Sequence, residues 1–237
     1  MSTVARSELI LGGQKSGKSR RAELLARQWL AADSAHRAVL IATGQAWDAE
    51  MAARIARHQR DRAERVPGLL TVEEPRDLAG ALARLSSPQA LVVVDCLTLW
   101  LTNWLMPAAP APHPSLSSEG RGRSVAPVLL PLPLGEGRGE GLPGQPTVNK
   151  YQQNPTQTQD WPAQAAHFFK ALQQASGPVV LVGNEIGLGV IPLGREVRAF
   201  VDTLGRLNQD VAAACTRVTL MCAGLPLALK DAKDEQL

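Results

Sequence analysis

The sequence is poor in aromatic residues and cysteines, and it lacks a long apolar run. Phe, Trp and Tyr make up only 4% of the 237 residues, so the core must consist mainly of Leu, Val, Ile and Ala. The three cysteines are an odd number and form no C-x-x-C pair, which argues against a disulfide framework and a zinc site. No apolar run approaches the roughly 20 residues of a membrane span, and the first residues show no signal-peptide core. We therefore expect a cytoplasmic protein without a membrane span.

A strong excess of charge of one sign is also missing. With 25 Lys and Arg residues against 22 Asp and Glu residues, the formal net charge is +3. This charge is compatible with a small anionic substrate but is too low to indicate nucleic-acid binding. The length, a hydrophobic content of 45% and a charged content of 20% are typical of one globular domain.

Short apolar runs alternate with helical patterns along most of the chain. Runs that are apolar throughout and are separated by helices indicate a mostly parallel sheet with helices on both faces. The sequence therefore predicts a single α/β domain over residues 1–237. The predicted strands are 7–12, 38–42, 70–72, 91–94, 179–182 and 218–222, and the predicted helices are 19–32, 48–65, 75–85, 163–175 and 195–216.

One segment, residues 107–162, departs from this composition. It contains eleven of the 17 prolines, together with a near-repeat of Glu-Gly-Arg-Gly. A segment so rich in Pro, Gly, Ser and Gln cannot bury enough apolar surface to offset the entropy lost on ordering. We predict a flexible insertion in a surface loop of the domain, with one apolar patch at residues 128–134.

The strongest motif lies between the first predicted strand and the first predicted helix. It fits the pattern G-x-x-x-x-G-K-S at every required position. In such a P-loop, backbone N–H groups surround phosphate oxygens, and the helix N-terminus adds positive potential. We expect Lys18 to contact the β- and γ-phosphates and Ser19 to help bind Mg²⁺, as in a P-loop NTPase-type domain. The predicted phosphate-binding residues are Gly12, Gly13, Gln14, Lys15, Ser16, Gly17, Lys18 and Ser19.

A carboxylate follows the apolar strand at residues 91–94. Asp95 stands where P-loop enzymes place the acidic partner of Mg²⁺. The alternative is an Asp that caps a helix or a turn. Beside a P-loop, we favour the metal-binding role.

A third pattern surrounds His58 in the second predicted helix. Arg54 lies four residues before His58 and Arg62 four residues after it, so both lie on the same helical face. The arginines would lower the imidazole pKa and attract phosphates, and a neutral imidazole can attack an α-phosphorus to form a phosphoramidate. From the residues alone, however, a single helical histidine is more often a packing or surface residue.

A polar glycine loop, residues 183–189, follows the strand at 179–182. Loops at the carboxyl ends of strands line the ligand crevice of α/β sheets, so Asn184 and Glu185 are candidates for binding a polar substrate. A purely structural turn is an equally good explanation. The polar residues on the next helix, including Arg198, Arg206 and Asn208, are also explained as its solvated face.

In this order, the motifs resemble those of the bifunctional adenosylcobinamide kinase / adenosylcobinamide-phosphate guanylyltransferase family. The similarity covers nearly all of the chain outside the insertion, which is normally shorter in that family. The matching stretches are residues 12–20, 41–43, 48–58, 95–103, 184–192 and 205–209. The P-loop alone would be unspecific, but its combination with the histidine helix and the Asn-Glu-x-Gly-x-Gly loop is highly specific.

The resemblance implies two reactions of cobalamin biosynthesis. ATP or GTP phosphorylates the aminopropanol hydroxyl of adenosylcobinamide, and GTP then donates GMP to that phosphate with release of pyrophosphate. The family carries the GMP on a histidine, and the matching position in this sequence is His58. The resemblance therefore favours a nucleophilic His58 over a packing or surface histidine. The resemblance further implies a homotrimer. It also implies these additional nucleotide-binding residues: Ala42, Thr43, Gly44, Gln59, Arg60, Asp61, Arg62, Glu73 and Asp95.

Two other functions remain open from the sequence. A simple small-molecule P-loop kinase would need no covalent intermediate, but it leaves the pattern around His58 unexplained. A non-catalytic nucleotide switch would need only phosphate and Mg²⁺ contacts, so the additional polar motifs count against it.

Overall fold

The computed structural model of the protein describes residues 4–46, 48–106 and 155–231. Within these residues, seven strands form one sheet. The strands are β1 Ser7–Gly12, β2 Arg37–Ala42, β3 Leu69–Glu73, β4 Ala90–Asp95, β5 Val179–Val182, β6 Arg217–Cys222 and β7 Leu225–Lys230. Their order in the sheet is β3-β2-β4-β5-β1-β6-β7, and every neighbouring pair is parallel except β6 and β7. The predicted mostly parallel sheet is confirmed.

Six helices in the described residues cover the two faces of this sheet. They are α1 Lys18–Ala32, α2 Ala49–Arg65, α3 Leu78–Leu85, α4 Leu97–Leu105, α5 Pro155–Gln174 and α6 Arg195–Ala214. Residues of α1 pack with one face of the central strands, whereas residues of α3, α4, α5 and α6 pack with the other. No helix in the described part of the chain is long and apolar enough to cross a membrane.

The sheet brings the candidate site residues to one edge. Because the first six strands are parallel, their carboxyl ends meet at the same edge of the sheet. Glu73, Ala42 and Asp95 occupy directly paired positions on β3, β2 and β4. In the same row, Asp95 pairs with Val182 of β5, and Val182 pairs with Ile10 of β1, two residues before the P-loop.

The helix predicted to begin near residue 163 begins earlier, at Pro155, within the stretch that was predicted as the insertion. The helix continues through Pro162. Trp161 is 9% exposed and packs edge-on against Trp100, with their ring centroids 4.9 Å apart, and Phe168 lies 5.1 Å from the same ring. This burial of aromatic surface stabilises a helical turn that composition alone assigned to a loop. The rest of the predicted insertion, residues 107–154, lies outside the described residues.

Two elements were not predicted from the sequence. The short helix α4 follows directly after β4 and is buried through Leu97, Trp100 and Leu101. Strand β7 returns antiparallel to β6 through a two-residue turn and forms one edge of the sheet. Both elements contribute to the surroundings of the candidate site.

Candidate functional site

The P-loop forms a tight turn between β1 and α1. At two positions of this turn, the backbone conformation favours glycine. Gly12 has φ of 150°, and Gly17 has φ of 102°. A Cβ atom on Gly12 would lie 2.5 Å from the carbonyl oxygen of Met221 and 2.7 Å from Ser16 Oγ. Close approach and positive φ therefore both require glycine at position 12.

Hydrogen bonds from two neighbouring loops orient the P-loop peptides. The N–H of Glu185 donates to the carbonyl of Gly12 over 3.1 Å, and the N–H of Gly224 donates to the carbonyl of Ser16 over 3.0 Å. Carbonyl and N–H groups of one planar peptide point in opposite directions. The following N–H groups, those of Gly13 and Gly17, therefore point away from the flanking loops, which suits them for donating to phosphate oxygens.

Two polar side chains are held within this turn. Lys18 is buried, and its Nζ donates to the carbonyl of Gly13 over 2.6 Å. Burial lowers the pKa of Lys18, while the charge of Asp95 raises it. Ser16 Oγ is buried without a hydrogen-bond partner. An unpaired buried hydroxyl beside a lysine fits an anion such as a phosphate oxygen.

Thr43 and Asn103 fix the carboxyl edge of β2 and β4. Thr43 is fully buried, and its hydroxyl donates to the carbonyl of Cys96 over 2.7 Å and accepts from the N–H of Cys96 over 2.9 Å. Asn103 of α4 donates from Nδ2 to the carbonyl of Thr43 over 2.7 Å and to that of Pro75 over 2.9 Å. The Thr43 hydroxyl is thus occupied within the protein, while Asp95 remains half-buried at the edge.

His58 lies on α2, a helix that is attached to the domain mainly by polar contacts. Asp48 caps its N-terminus by accepting from the N–H of Met51 over 2.6 Å. Arg62 is the buried residue of the helix, whereas Met51 and Ile55 are half-buried and His58 is exposed. The imidazole is therefore not buried in the core together with the apolar side chains of Met51 and Ile55.

The electrostatic surroundings of His58 favour its neutral form. Desolvation lowers its pKa below 6.5, and the charges of Arg54 and Arg62 lower it further, while Asp95 and Asp61 raise it. The predicted effect of the two arginines is confirmed in direction. Since Asp95 also raises the pKa of Lys18, the carboxylate acts on the P-loop lysine and on the imidazole alike.

Arg62 and Glu23 connect α2 to α1. Glu23 is buried on α1 and lies 3.0 Å from Arg65 Nε and 3.8 Å from Arg62 Nε. Arg62 also donates to Thr71 Oγ1 of β3 over 3.2 Å. These contacts hold the C-terminal half of α2 beside the P-loop helix.

Two residues that were predicted to bind nucleotide also contact each other. Gln59 Nε2 of α2 donates to Glu73 Oε1 at the end of β3 over 3.1 Å, which joins the histidine helix to the sheet edge. Arg60 is exposed and Asp61 is half-buried.

The loop after β5 is joined to α4 and α6. Thr98 Oγ1 accepts from the N–H of Asn184 over 2.9 Å, and Asn208 Nδ2 donates to the carbonyl of Asn184 over 3.1 Å. Glu185 Oε1 accepts from the N–H of Gly187 over 3.0 Å. Asn208 is buried, so it does not belong to the solvated face of α6.

Two cavities within the described residues lie away from the carboxyl edge. Cavities of about 390 and 210 Å³ lie near the amino ends of the strands, beside Ser176 and Gly177. The P-loop, Asp95 and the Asn184 loop lie at the opposite edge, where parallel α/β sheets bind ligands. The candidate site therefore lies at the carboxyl edge, where the phosphate-binding turn and the acidic side chain are, and not in either of the two cavities.

Sequence reasoning predicted the side chains of this candidate site but missed several of the groups that hold them. The roles of Thr98 and Asn103 were not predicted, although both lie in the 95–103 stretch. The Gly224 contact was missed because β7 was missed. Backbone groups such as the Gly224 N–H leave no side-chain signature in the sequence.

The family model described as cobinamide kinase / cobinamide phosphate guanyltransferase matches residues 8–229. The bifunctional adenosylcobalamin biosynthesis protein CobP of Pseudomonas aeruginosa is 37% identical over 223 residues, which cover 94% of this chain and 96% of that protein. The bifunctional adenosylcobalamin biosynthesis protein CobU of Escherichia coli is 32% identical over 222 residues, covering 94% and 98% of the two chains.

One solved structure with a looser likeness is the flagellar accessory protein FlaH from Methanocaldococcus jannaschii. Its TM-score is 0.43 at 9% identity, and the match covers 97% of this chain and 80% of that one.

Proposed function

The chain belongs to the cobinamide kinase / cobinamide phosphate guanyltransferase family of cobalamin biosynthesis, and we propose that His58 carries GMP covalently between its two substrates. The observation that carries the proposal is the contact between the histidine helix and the P-loop helix, in which Glu23 of α1 pairs with Arg65 and Arg62 of α2. The pKa shifts of His58 and Lys18, both influenced by the charge of Asp95, agree with it. A neutral imidazole near a triphosphate-binding loop is a competent nucleophile at neutral pH.

In the kinase step, the P-loop holds ATP or GTP, and the aminopropanol hydroxyl of adenosylcobinamide attacks the γ-phosphorus. A new O–P bond forms, the bond to the β-phosphate oxygen breaks, and the nucleoside diphosphate leaves. Lys18 and the N–H groups of the loop balance the charge that develops on the phosphate oxygens. Asn184 and Glu185, beside the P-loop, are proposed to bind the incoming substrate.

In the guanylyl step, an imidazole nitrogen of His58 attacks the α-phosphorus of GTP. An N–P bond forms, the bond between the α-phosphorus and its bridging oxygen breaks, and pyrophosphate leaves. A phosphate oxygen of adenosylcobinamide phosphate then attacks the same phosphorus. The N–P bond breaks, adenosylcobinamide-GDP is released, and the neutral imidazole is restored.

The residues present fit a bound Mg²⁺ ion that accompanies the triphosphate. Mg²⁺ usually takes few protein ligands and completes its shell with water and phosphate oxygens. Ser19, in the first turn of α1, and Asp95 are the proposed protein ligands. Bound there, Mg²⁺ would neutralise charge on the phosphate oxygens.

The remaining nucleotide contacts are proposed around the same edge. The proposal is supported by the paired positions of Ala42, Glu73 and Asp95 and by the Gln59–Glu73 hydrogen bond. Since the Thr43 hydroxyl is occupied, the segment 42–44 is proposed to contact nucleotide through its backbone. The proposed set is Gly12, Gly13, Gln14, Lys15, Ser16, Gly17, Lys18, Ser19, Ala42, Thr43, Gly44, Gln59, Arg60, Asp61, Arg62, Glu73 and Asp95.

We further propose that the protein acts in the cytoplasm as a homotrimer in which neighbouring subunits help to form each site. Family membership supports this assembly. Analytical ultracentrifugation should give three times the chain mass, and a monomer at assay concentration would exclude it.

Labelled GTP separates this mechanism from a simple kinase. GTP labelled at the α-phosphate should attach its label to the protein through an acid-labile, base-stable bond, and adenosylcobinamide phosphate should then remove the label into a corrinoid product. GTP labelled at the γ-phosphate is the matched control and should leave the protein unlabelled. Transfer of γ-phosphate to the corrinoid with no α-label on the protein would favour the simple kinase.

A further inference from the structure

An exposed apolar segment follows directly after Glu185. We call residues 186–193 the apolar loop. Its large side chains are strongly exposed, with exposed fractions of 81% for Leu188, 96% for Val190, 76% for Ile191 and 97% for Leu193. Four exposed aliphatic side chains within six residues form an uncommon surface for a folded protein, and such patches usually mark binding sites.

Polar contacts hold both ends of the apolar loop. At its start, the N–H of Glu185 donates to the carbonyl of Gly12, and Glu185 Oε1 accepts from the N–H of Gly187. At its end, Arg198 Nη1 of α6 donates to the carbonyls of Pro192, over 2.9 Å, and Leu193. The backbone of the loop is thus fixed at its two ends while its aliphatic side chains face solvent. This arrangement presents apolar surface without burying it.

The apolar loop is attached directly to the phosphate-binding turn. The 3.1 Å hydrogen bond from Glu185 to Gly12 joins the residue before the apolar loop to the first residue of the P-loop. Other exposed leucines lie on the edge strands, such as Leu70 on β3 and Leu227 and Leu229 on β7. The apolar loop instead follows β5, the strand that pairs with β1 inside the sheet.

We propose that the apolar loop binds the corrin macrocycle of the substrate, an inference that rests on the proposed function. The hydroxyl that accepts phosphate must come within about 3–3.5 Å of the γ-phosphorus. This hydroxyl ends a short aminopropanol arm, so the macrocycle must lie within the length of that arm from the P-loop. The ring carries many methyl and methylene groups, whose burial against aliphatic side chains is favourable.

The alternative occupant is a second copy of this chain, because exposed apolar surface also serves subunit contacts. The direct bond to the P-loop favours the corrinoid, since it places the apolar surface beside the group that is transferred. The two occupants differ in what they predict, because a contact between copies would change the assembly when it is disrupted, whereas a corrinoid contact would change substrate affinity.

The test replaces the two most exposed side chains, in the variants Val190→Gln and Leu193→Gln and in the double variant. We expect the KM for adenosylcobinamide in the kinase step to rise by about tenfold or more in the double variant, given the burial energy of two aliphatic side chains. The KM for GTP should stay unchanged. Labelling of the protein by α-labelled GTP needs no corrinoid, so it should proceed as in the unmodified protein.

Leu229→Gln is the matched control, since it makes a comparable exposed change on β7, near the amino end of β6. It should leave both KM values unchanged. An unchanged adenosylcobinamide KM in the double variant would overturn the proposal. A changed oligomeric state of that variant in ultracentrifugation would overturn it too and would assign the loop to a contact between copies. Failure of the proposed function is recognised separately, because the unmodified protein would then take no α-label.

Discussion

The substitution Gly12→Ala tests whether the P-loop turn is held in the shape that binds phosphate. The added Cβ would lie 2.5 Å from the carbonyl oxygen of Met221, which belongs to paired backbone and cannot rotate away. Positive φ at a residue other than glycine costs about 1–3 kcal/mol, and overpacking costs about 1–3 kcal/mol more. We expect a total of roughly 2–6 kcal/mol.

This cost should appear as lost stability, as lost nucleotide affinity, or as both. If the turn opens to relieve the clash, about 2–6 kcal/mol corresponds to a loss of about 30-fold to about 2 × 10⁴-fold in GTP affinity. Denaturant unfolding would measure the first effect and isothermal titration calorimetry with GTP the second. Gly13→Ala is the control for stability, since a Cβ there would meet no atom within 4 Å. An unchanged stability together with an unchanged GTP affinity in Gly12→Ala would refute the reasoning.

Three further predictions concern the core, the histidine and the metal. Trp161→Ala should lower the free energy of unfolding by about 3–5 kcal/mol because it removes a buried aromatic contact, and a loss below about 1 kcal/mol in denaturant unfolding would contradict the packing on Trp100. Because the pKa of His58 is lowered, kcat/KM for guanylylation should fall on acidification with a midpoint below pH 6.5, and a midpoint above that value would exclude the neutral-imidazole account. Asp95→Asn should weaken the apparent Mg²⁺ affinity in both half-reactions by about 10- to 100-fold, and unchanged Mg²⁺ titrations would remove Asp95 from the metal site.

The parallel sheet could be predicted because its inner strands are apolar on both faces. Strands such as residues 91–94 contain consecutive β-branched residues, and the intervening helices show a clear polar face. The short helix α4 has no such face, because none of its nine residues, 97–105, is exposed. Its periodicity is therefore weak, and sequence reasoning passed over it.

Tertiary contacts decided the elements that sequence reasoning misjudged. The first turns of α5 contain Gln, Thr and Pro residues that are typical of loops, yet Trp161 is buried against Trp100. Strand β7 contains Pro226 and lies at an edge, and its exposed leucines were not recognised as one face of a strand. In each case the local composition indicated a loop, and packing or pairing with distant residues produced regular structure.

The candidate site was predictable where side-chain chemistry carries the signal. The P-loop pattern, Asp95 and the arginines flanking His58 could all be read from residue types and spacing. The contacts that orient them could not, because the Gly224 N–H and the carbonyl of Thr43 are backbone groups that every sequence contains. Their roles depend on which strands are neighbours in the sheet.

The most direct test of the account is to locate the GMP adduct. After incubation with GTP and Mg²⁺, peptide mapping by mass spectrometry should find the adduct on the peptide that contains His58, and His58→Asn should abolish it. The control His36→Asn, which changes a histidine that stacks on Trp29, should retain it. An adduct that persists in His58→Asn, or that maps to another residue, would contradict the proposal that this imidazole carries the guanylyl group.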